Sequence, residues 1–177
     1  MITIEVQDNG VQAALQALAK RVDNLQPVLQ AIGEDIMERT KQRFATSTGP
    51  DGQRWQGNSI ATIQALIIGA RAKKGGVLKK GGLSQKAQTS LAGKKVLVDT
   101  GSLARQFHVN ASGNSVTVAN SMIYAAIHQF GGKKSAFPNL WGDIPARPFL
   151  PIKQNGELYP AERTKILDAL NDYLAGK

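Results

Sequence analysis

Cysteine is absent from the 177 residues. That excludes disulfides and thiolate metal sites, so stability cannot depend on redox state. Histidine is scarce. His108 and His128 are the only two, and they do not stand one helical turn apart, as a helical metalloprotease motif requires. We expect no metal and no cofactor. Long apolar runs are also missing. The longest, around Ala65 to Ala70, is far too short to span a bilayer, and no basic start followed by an apolar run marks a secretory signal. The expectation is a protein made and used in a cytoplasm, without a membrane partner.

Acidic residues are absent from one long stretch. From Arg71 to Lys95 the chain holds Arg71, Lys73, Lys74, Lys79, Lys80, Lys86, Lys94 and Lys95 and no carboxylate, so this segment carries +8 of the total +9 and leaves the rest near neutral. The stretch contains a small repeat, Lys73-Lys74-Gly75-Gly76-Val77-Leu78 followed by Lys79-Lys80-Gly81-Gly82-Leu83-Ser84. Paired glycines raise backbone entropy and paired lysines repel, which predicts a flexible basic insertion loop over 71–95 within one domain covering 1–177. Its lysines could neutralise the phosphates of genomic DNA or meet an acidic protein surface. No aromatic lies within it, which argues against stacking on single-stranded bases.

What the chain does have is a globular composition, 42% hydrophobic and 20% charged. Ile2, Ile4 and Val6 alternate with polar residues and read as a short strand. A helical region follows to about Phe44, with apolar residues at Val11, Leu15, Leu18, Val22, Leu25, Leu29, Ile32 and Ile36, a seam of alternating four and three. Pro27 predicts a kink or break near Asp23 to Gln26. The seam suits packing on the protein's own sheet or, in a sharper reading, a contact between subunits. Trp55, in a polar loop, is expected to fold back on the core. Ser59 could cap a helix through Ile68.

Val96-Leu97-Val98 reads as a strand, Asp99 to Ser102 as a turn, and Ser102 or Asp99 as a cap for one helical turn at Leu103 to Arg105. Phe107 to Asn110 and Ser115 to Ala119 read as a hairpin. Ile123 to Phe130 reads as a short helix capped by Gly131. In it Tyr124, Ile127 and Phe130 would cover one face, turning His128 and Gln129 toward solvent or a neighbour. Ile144 to Ile152 is proline-rich and expected at a sheet edge. There Pro145 and Pro148 would stiffen Arg147 as a preset contact. A last helix begins near Pro160, with an apolar face of Ile166, Leu167, Leu170, Tyr173 and Leu174.

Catalytic constellations are not legible. His128 could serve as a base oriented by Asp99 or Asp143, but nothing local joins them and there is no Gly-x-Ser-x-Gly elbow. Gln88 to Lys95 only superficially suggests a phosphate loop, since Gln88 stands where glycine is needed and Lys95 where the magnesium-holding hydroxyl belongs. We expect no catalytic residues.

Three stretches carry a resemblance: Val96-Leu97-Val98-Asp99-Thr100-Gly101-Ser102-Leu103, Tyr124-Ala125-Ala126-Ile127-His128-Gln129-Phe130-Gly131-Gly132, and Ile144-Pro145-Ala146-Arg147-Pro148-Phe149-Leu150. In this order, behind a long helix and a loop with Trp55, the chain resembles the tail-completion (virion morphogenesis) family of Mu-like tailed phages. The resemblance implies an α+β fold, with the N-terminal and C-terminal helices packed on a small, mainly antiparallel sheet. It also implies a structural protein without catalysis, acting in tail completion or head–tail joining as a ring, hexameric in our expectation. Partners would be further copies of itself and other neck or tail proteins. Location would be the host cytoplasm during assembly and then the virion. Asp99, Thr100, Gly101, Leu103, His128, Gln129, Phe130, Gly131, Pro145, Arg147, Pro148 and Phe149 become the motif residues and candidate subunit contacts. The rival reading is a small basic nucleic-acid-binding protein using the Lys/Gly-rich loop.

Overall fold

Proline sets the first division of the chain. In the computed structural model, which describes residues 9–72, 78, 82–140 and 142–177, helix α1 runs Asn9–Asp23 and helix α2 runs Gln26–Thr46. Pro27 falls in the first turn of α2, where its missing N–H costs nothing. The expected kink is therefore a full break at Asn24-Leu25. The joint is held by the Tyr173 hydroxyl, which donates to the Asn24 carbonyl at 2.6 Å. α2 ends at Ser47, left-handed at φ 56°, whose N–H returns to the Arg43 carbonyl.

The sheet is a hairpin. β1, Phe107–Ser112, pairs antiparallel with β2, Ser115–Asn120, from Phe107↔Asn120 to Ser112↔Ser115 around Gly113-Asn114. α2 lies across both strands. Gly33 permits the approach, because a Cβ there would overlap Val109 Cγ1 and come within 2.7 Å of Val116 Cγ2. One cluster of buried residues beneath α2 is Phe44, Trp55, Leu103, Phe107 and Phe149. A second is Val28, Ile32 and Ile36, packed by Ile166, Leu170 and Tyr173. Those last three residues come from the C-terminal helix, Pro160–Ala175, whose Leu167 instead stays 47% exposed. The architecture is α+β as expected, but of the two terminal helical regions it is α2 that packs on the hairpin, while the C-terminal helix packs on α1 and α2.

Five helices complete the order: α3, Ile60–Ala72; α4, Gln85–Ala92; α5, Ser102–Arg105; α6, Ala125–Phe130; and α7, the C-terminal helix. Ser59 Oγ accepts from Thr62 N at 3.2 Å at the start of α3, as read from sequence, but the helix runs past Ile68.

Several local expectations are corrected. Val96 to Val98 form a turn with Leu97 at φ 59° instead of a strand, and their side chains pack against the first core cluster. Within the basic stretch, residues 85–92 are helical rather than loop, and Ser84 Oγ caps them by accepting from Ala87 N at 3.3 Å. Neither Asp99 nor Ser102 caps α5: its N-cap is Gly101 at φ 80°. Residues 144–152 do not extend the hairpin, but cross the core as a strap tied to Gly132 by a single bridge at Ile144. The strand expected at Ile2 to Val6, and Lys73, Lys74, Lys79 and Lys80 of the repeat, lie outside the described residues.

Candidate functional site

The strap has an accounting problem. Pro145, Pro148 and Pro151 carry no N–H, so residues 144–152 cannot form a continuous ladder, yet Phe149 is wholly buried. Its polar groups are satisfied one at a time by other elements. Gly132 exchanges two bonds with Ile144, at 2.8 and 2.9 Å, and Arg147 N donates to the His128 carbonyl at 2.8 Å. Trp55 Nε1 donates to the Pro148 carbonyl at 2.9 Å, and an Arg43 guanidinium nitrogen donates to the Phe149 carbonyl at 2.7 Å.

Gln129 supplies four more bonds. Its Oε1 accepts from Phe149 N and Leu150 N, both at 2.9 Å, while its Nε2 donates to the Leu150 and Ile152 carbonyls at 3.2 and 3.0 Å. The side chain is 2% exposed. An amide has both donors and acceptor on one plane, so it can replace a strand that is not there. This reverses the expected face of α6. Gln129 points inward, and Tyr124 and Phe130 are 40% and 37% exposed. Gly131 follows at φ 75°, with the strap so close that a Cβ would sit 2.8 Å from Ala146 N.

Arg147 is likewise internal. It is 7% exposed, and its Nε and one terminal nitrogen donate to the Gln56 and Gly57 carbonyls, each at 2.9 Å. It latches the Trp55 loop to the strap instead of presenting a preset contact. Burial lowers its pKa from the ordinary arginine value. His128 lies half-buried, edge-on to Tyr124 with ring centres 5.9 Å apart. Burial, and then the charge of Arg147, hold its pKa below the usual histidine range. Its Nδ1 has no hydrogen-bond partner among the described residues. The two suggested orienters are engaged elsewhere: Asp143 accepts from Lys134 N at 2.8 Å and Asp99 holds Lys94 at 2.5 Å.

Asp99 to Gly101 lie in the expected turn, which is tied locally. Thr100 Oγ1 accepts from Ser102 N at 3.3 Å, and the Thr100 carbonyl accepts from Arg105 at 2.7 Å. Leu103, 4% exposed, anchors it in the aromatic cluster, where Phe149 lies 5.2 Å from Phe44 and 5.9 Å from Phe107 between ring centres. Of the basic residues, Lys86 stands exposed on α4, Lys95 Nζ donates to the Ala45 carbonyl at 2.9 Å, and Arg71 falls in the last turn of α3. The motif residues therefore converge mostly on one internal knot. Of the described basic residues of 71–95, Lys94 pairs with the motif residue Asp99, and Lys86 and Lys95 stand apart from the knot.

Sequence reasoning missed a second knot. Glu162, 3% exposed at the start of α7, accepts from Arg43 at 2.6 Å and pairs with Arg39 at 2.9 Å, while Arg39 also pairs with Asp35. Burial lowers the Arg43 pKa, and the Glu162 charge opposes that shift. Charges on amphipathic helices normally read as solvated, so no signal beyond Glu162's place in a first helical turn marked it. Among the described residues no group of three or more His, Asp or Glu could hold a metal, and no helix is long and apolar enough to cross a membrane.

The outer surface is different. On α1, Val11, Leu15, Leu18 and Val22 are 49%, 59%, 41% and 52% exposed, so half of the apolar seam is uncovered. Residues 6–175 match the phage virion morphogenesis family. Protein G of Escherichia phage Mu, whose assigned name is that of a capsid assembly protein, is 24% identical over 172 residues, 96% of each chain. The Mu-like prophage FluMu G protein 2 of Haemophilus influenzae is 39% identical over 77 residues, 44% of this chain and 50% of that protein. No solved structure matches. A family match from Val6 to Ala175, around a knot built from the very motifs that suggested it, means that this chain belongs to the phage virion morphogenesis family.

Proposed function

We propose that this protein is a non-enzymatic assembly component acting in tail completion or head–tail joining. In this reading it works as a ring-shaped homo-oligomer, hexameric by the family resemblance, at the virion neck or the head-proximal end of the tail. The observation that carries the reading is the uncovered aliphatic face of α1 on a chain whose family builds virions. Contiguous exposed apolar surface of this kind marks an interaction site. Gln129 and Arg147 support the same view, because both polar motif side chains are spent on internal hydrogen bonds to the strap and the Trp55 loop.

Partners in this reading are further copies of the chain and other neck or tail proteins. The basic residues of 71–95 would meet genomic DNA in the channel. The protein would act in the host cytoplasm and then within the virion. Electron microscopy of a lysate from the phage lacking this gene tests the proposal. DNA-filled heads beside unattached or abnormally long tails are expected. Normal, joined, infectious particles would refute it and favour a small basic nucleic-acid-binding protein, which must show DNA binding by the isolated chain that is lost steeply with salt.

A further inference from the structure

The strap's need for Gln129 has an outward consequence. A short helix that turns Gln129 inside turns the opposite face outside, and on α6 that face is the apolar one. Ile123, just before the helix, is 99% exposed, more than any other large hydrophobic residue among those described. Tyr124 and Phe130 are 40% and 37% exposed, and Phe137 in the loop that follows is 50% exposed. Ile123, Ile127 and Phe130 are spaced by four and three, so they share one side of the helix. Ile127 and Phe137 meet over Gly132, where a Cβ would overlap Ile127 and come within 3.2 Å of Phe137 Cδ2. The aromatic residues are held in place. The Tyr124 ring is edge-on to His128 and its hydroxyl donates to Met122 Sδ at 3.1 Å. Ala136 N and Phe137 N both donate to the Lys133 carbonyl at 3.0 Å, which closes the turn that carries Phe137.

We propose that this α6 face docks a different virion protein, one that offers an apolar segment flanked by carboxylates; the inference rests on the assembly reading above and names a surface apart from α1. Size supports a docking role. Ile123, Tyr124, Phe130 and Phe137 together expose on the order of 400 Å² of apolar surface, the scale at which a patch on a monomer is commonly an interaction site. Aromatic side chains already fixed around one protruding aliphatic residue lose little freedom on binding, which suits a hot spot. Charge selects the partner. From Thr100 to Gly142 the chain holds Arg105, Lys133 and Lys134 and no carboxylate, and both lysines are exposed in the loop that carries Phe137. The next acid, Asp143, accepts from Lys134 N at 2.8 Å. A second copy of the same face would bring only more positive charge, and α1 brings no carboxylate from Asn9 to Val22. Phosphates would satisfy the lysines but leave Ile123 in water, so the arrangement fits a protein with an acidic rim better than a nucleic acid.

Purified full-length chain is added to a lysate of the phage lacking this gene, and infectious titre is read against the concentration added. The natural chain is expected to restore titre. Ile123→Asp should need about 100-fold more protein for the same titre, the scale of a hot-spot residue. Its melting curve and its oligomeric state by native mass spectrometry should match the natural chain, because Ile123 is already in water. Lys133→Glu combined with Lys134→Glu should need about 10-fold more, while the two arginine replacements need the natural amount. Ile123→Asp acting at the natural concentration overturns the surface and leaves the assembly reading standing. Ile123→Asp that lowers the oligomeric state overturns it in favour of pairing between copies of this chain. A double glutamate variant as active as the natural chain overturns the acidic partner. A natural chain that restores no titre removes the assembly reading, and the docking partner with it.

Discussion

Replacing Gln129 by leucine removes four hydrogen bonds in one step while nearly preserving volume. The lost bonds involve Phe149 N, Leu150 N and the carbonyls of Leu150 and Ile152. All four groups belong to the strap, and no neighbouring strand can replace the amide. At a net value of about 1 kcal/mol each, the variant should lose about 4 kcal/mol of folding stability. For a chain of this length that corresponds to a fall in melting temperature of roughly 8–16 °C. Urea unfolding followed by tryptophan fluorescence measures it, since Trp55 is bonded to the strap at Pro148 and senses its release. A loss under about 1 kcal/mol would mean that water or a backbone shift satisfies the strap, and the knot would not be what orders it. Gln129→Glu sharpens the test. A carboxylate can accept from the two N–H groups but cannot donate to the two carbonyls, so the neutral acid is favoured in the folded state. Its folded pKa then lies above the unfolded value of about 4.3, so the variant's stability is fully present below that value and lost as pH rises through the folded pKa. A pH-independent Gln129→Glu variant would refute the donor role of Nε2.

Glu162→Gln should cost about 3–5 kcal/mol in a thermal or urea melt, because it leaves the Arg43 and Arg39 guanidiniums without their shared carboxylate. Gly33→Ala gains about 1 kcal/mol of helix propensity but drives a methyl into Val109 and Val116, stiff β-branched side chains, so a net loss of about 1–2 kcal/mol is expected from the same melt. His128 is held below its ordinary pKa by burial and by Arg147. The unfolded chain therefore binds that proton more readily, so the contribution is fully present above about pH 6.5 and is lost as pH falls through the folded value. Melting curves between pH 7.5 and pH 5, on the order of one unit either side of that value, should show a stability loss that is reduced in His128→Gln. An identical slope in the two proteins would place the proton elsewhere.

Much of this architecture is local and therefore legible in sequence. Pro27 cannot continue a helix, so the break after Asp23 follows from its ring and its missing N–H. The hairpin at Gly113-Asn114 follows from turn chemistry between alternating strands. The apolar faces of α2 and α7 follow from helical periodicity, and three motif stretches in order sufficed to point to the family. Tertiary structure decided the rest. α6 has only six residues, too few for periodicity to say which face is inside. The strap settled it, because proline-interrupted backbone crossing a core needs a donor and acceptor together, and the inward residue had to be Gln129 and not Tyr124. The same need turned Arg147 from a surface contact into a latch, and allowed Glu162 to be buried only because Arg43 and Arg39 arrive from another helix. Val96 to Val98 look like a strand, but they turn against the aromatic cluster and pair with neither strand of the hairpin. The seam of α1 and α2 reads as one line in sequence, but sequence spacing records only which residues share a face. Whether that face is covered depends on what the rest of the chain brings against it, and on α1 Leu15, Leu18 and Val22 stay 59%, 41% and 52% exposed.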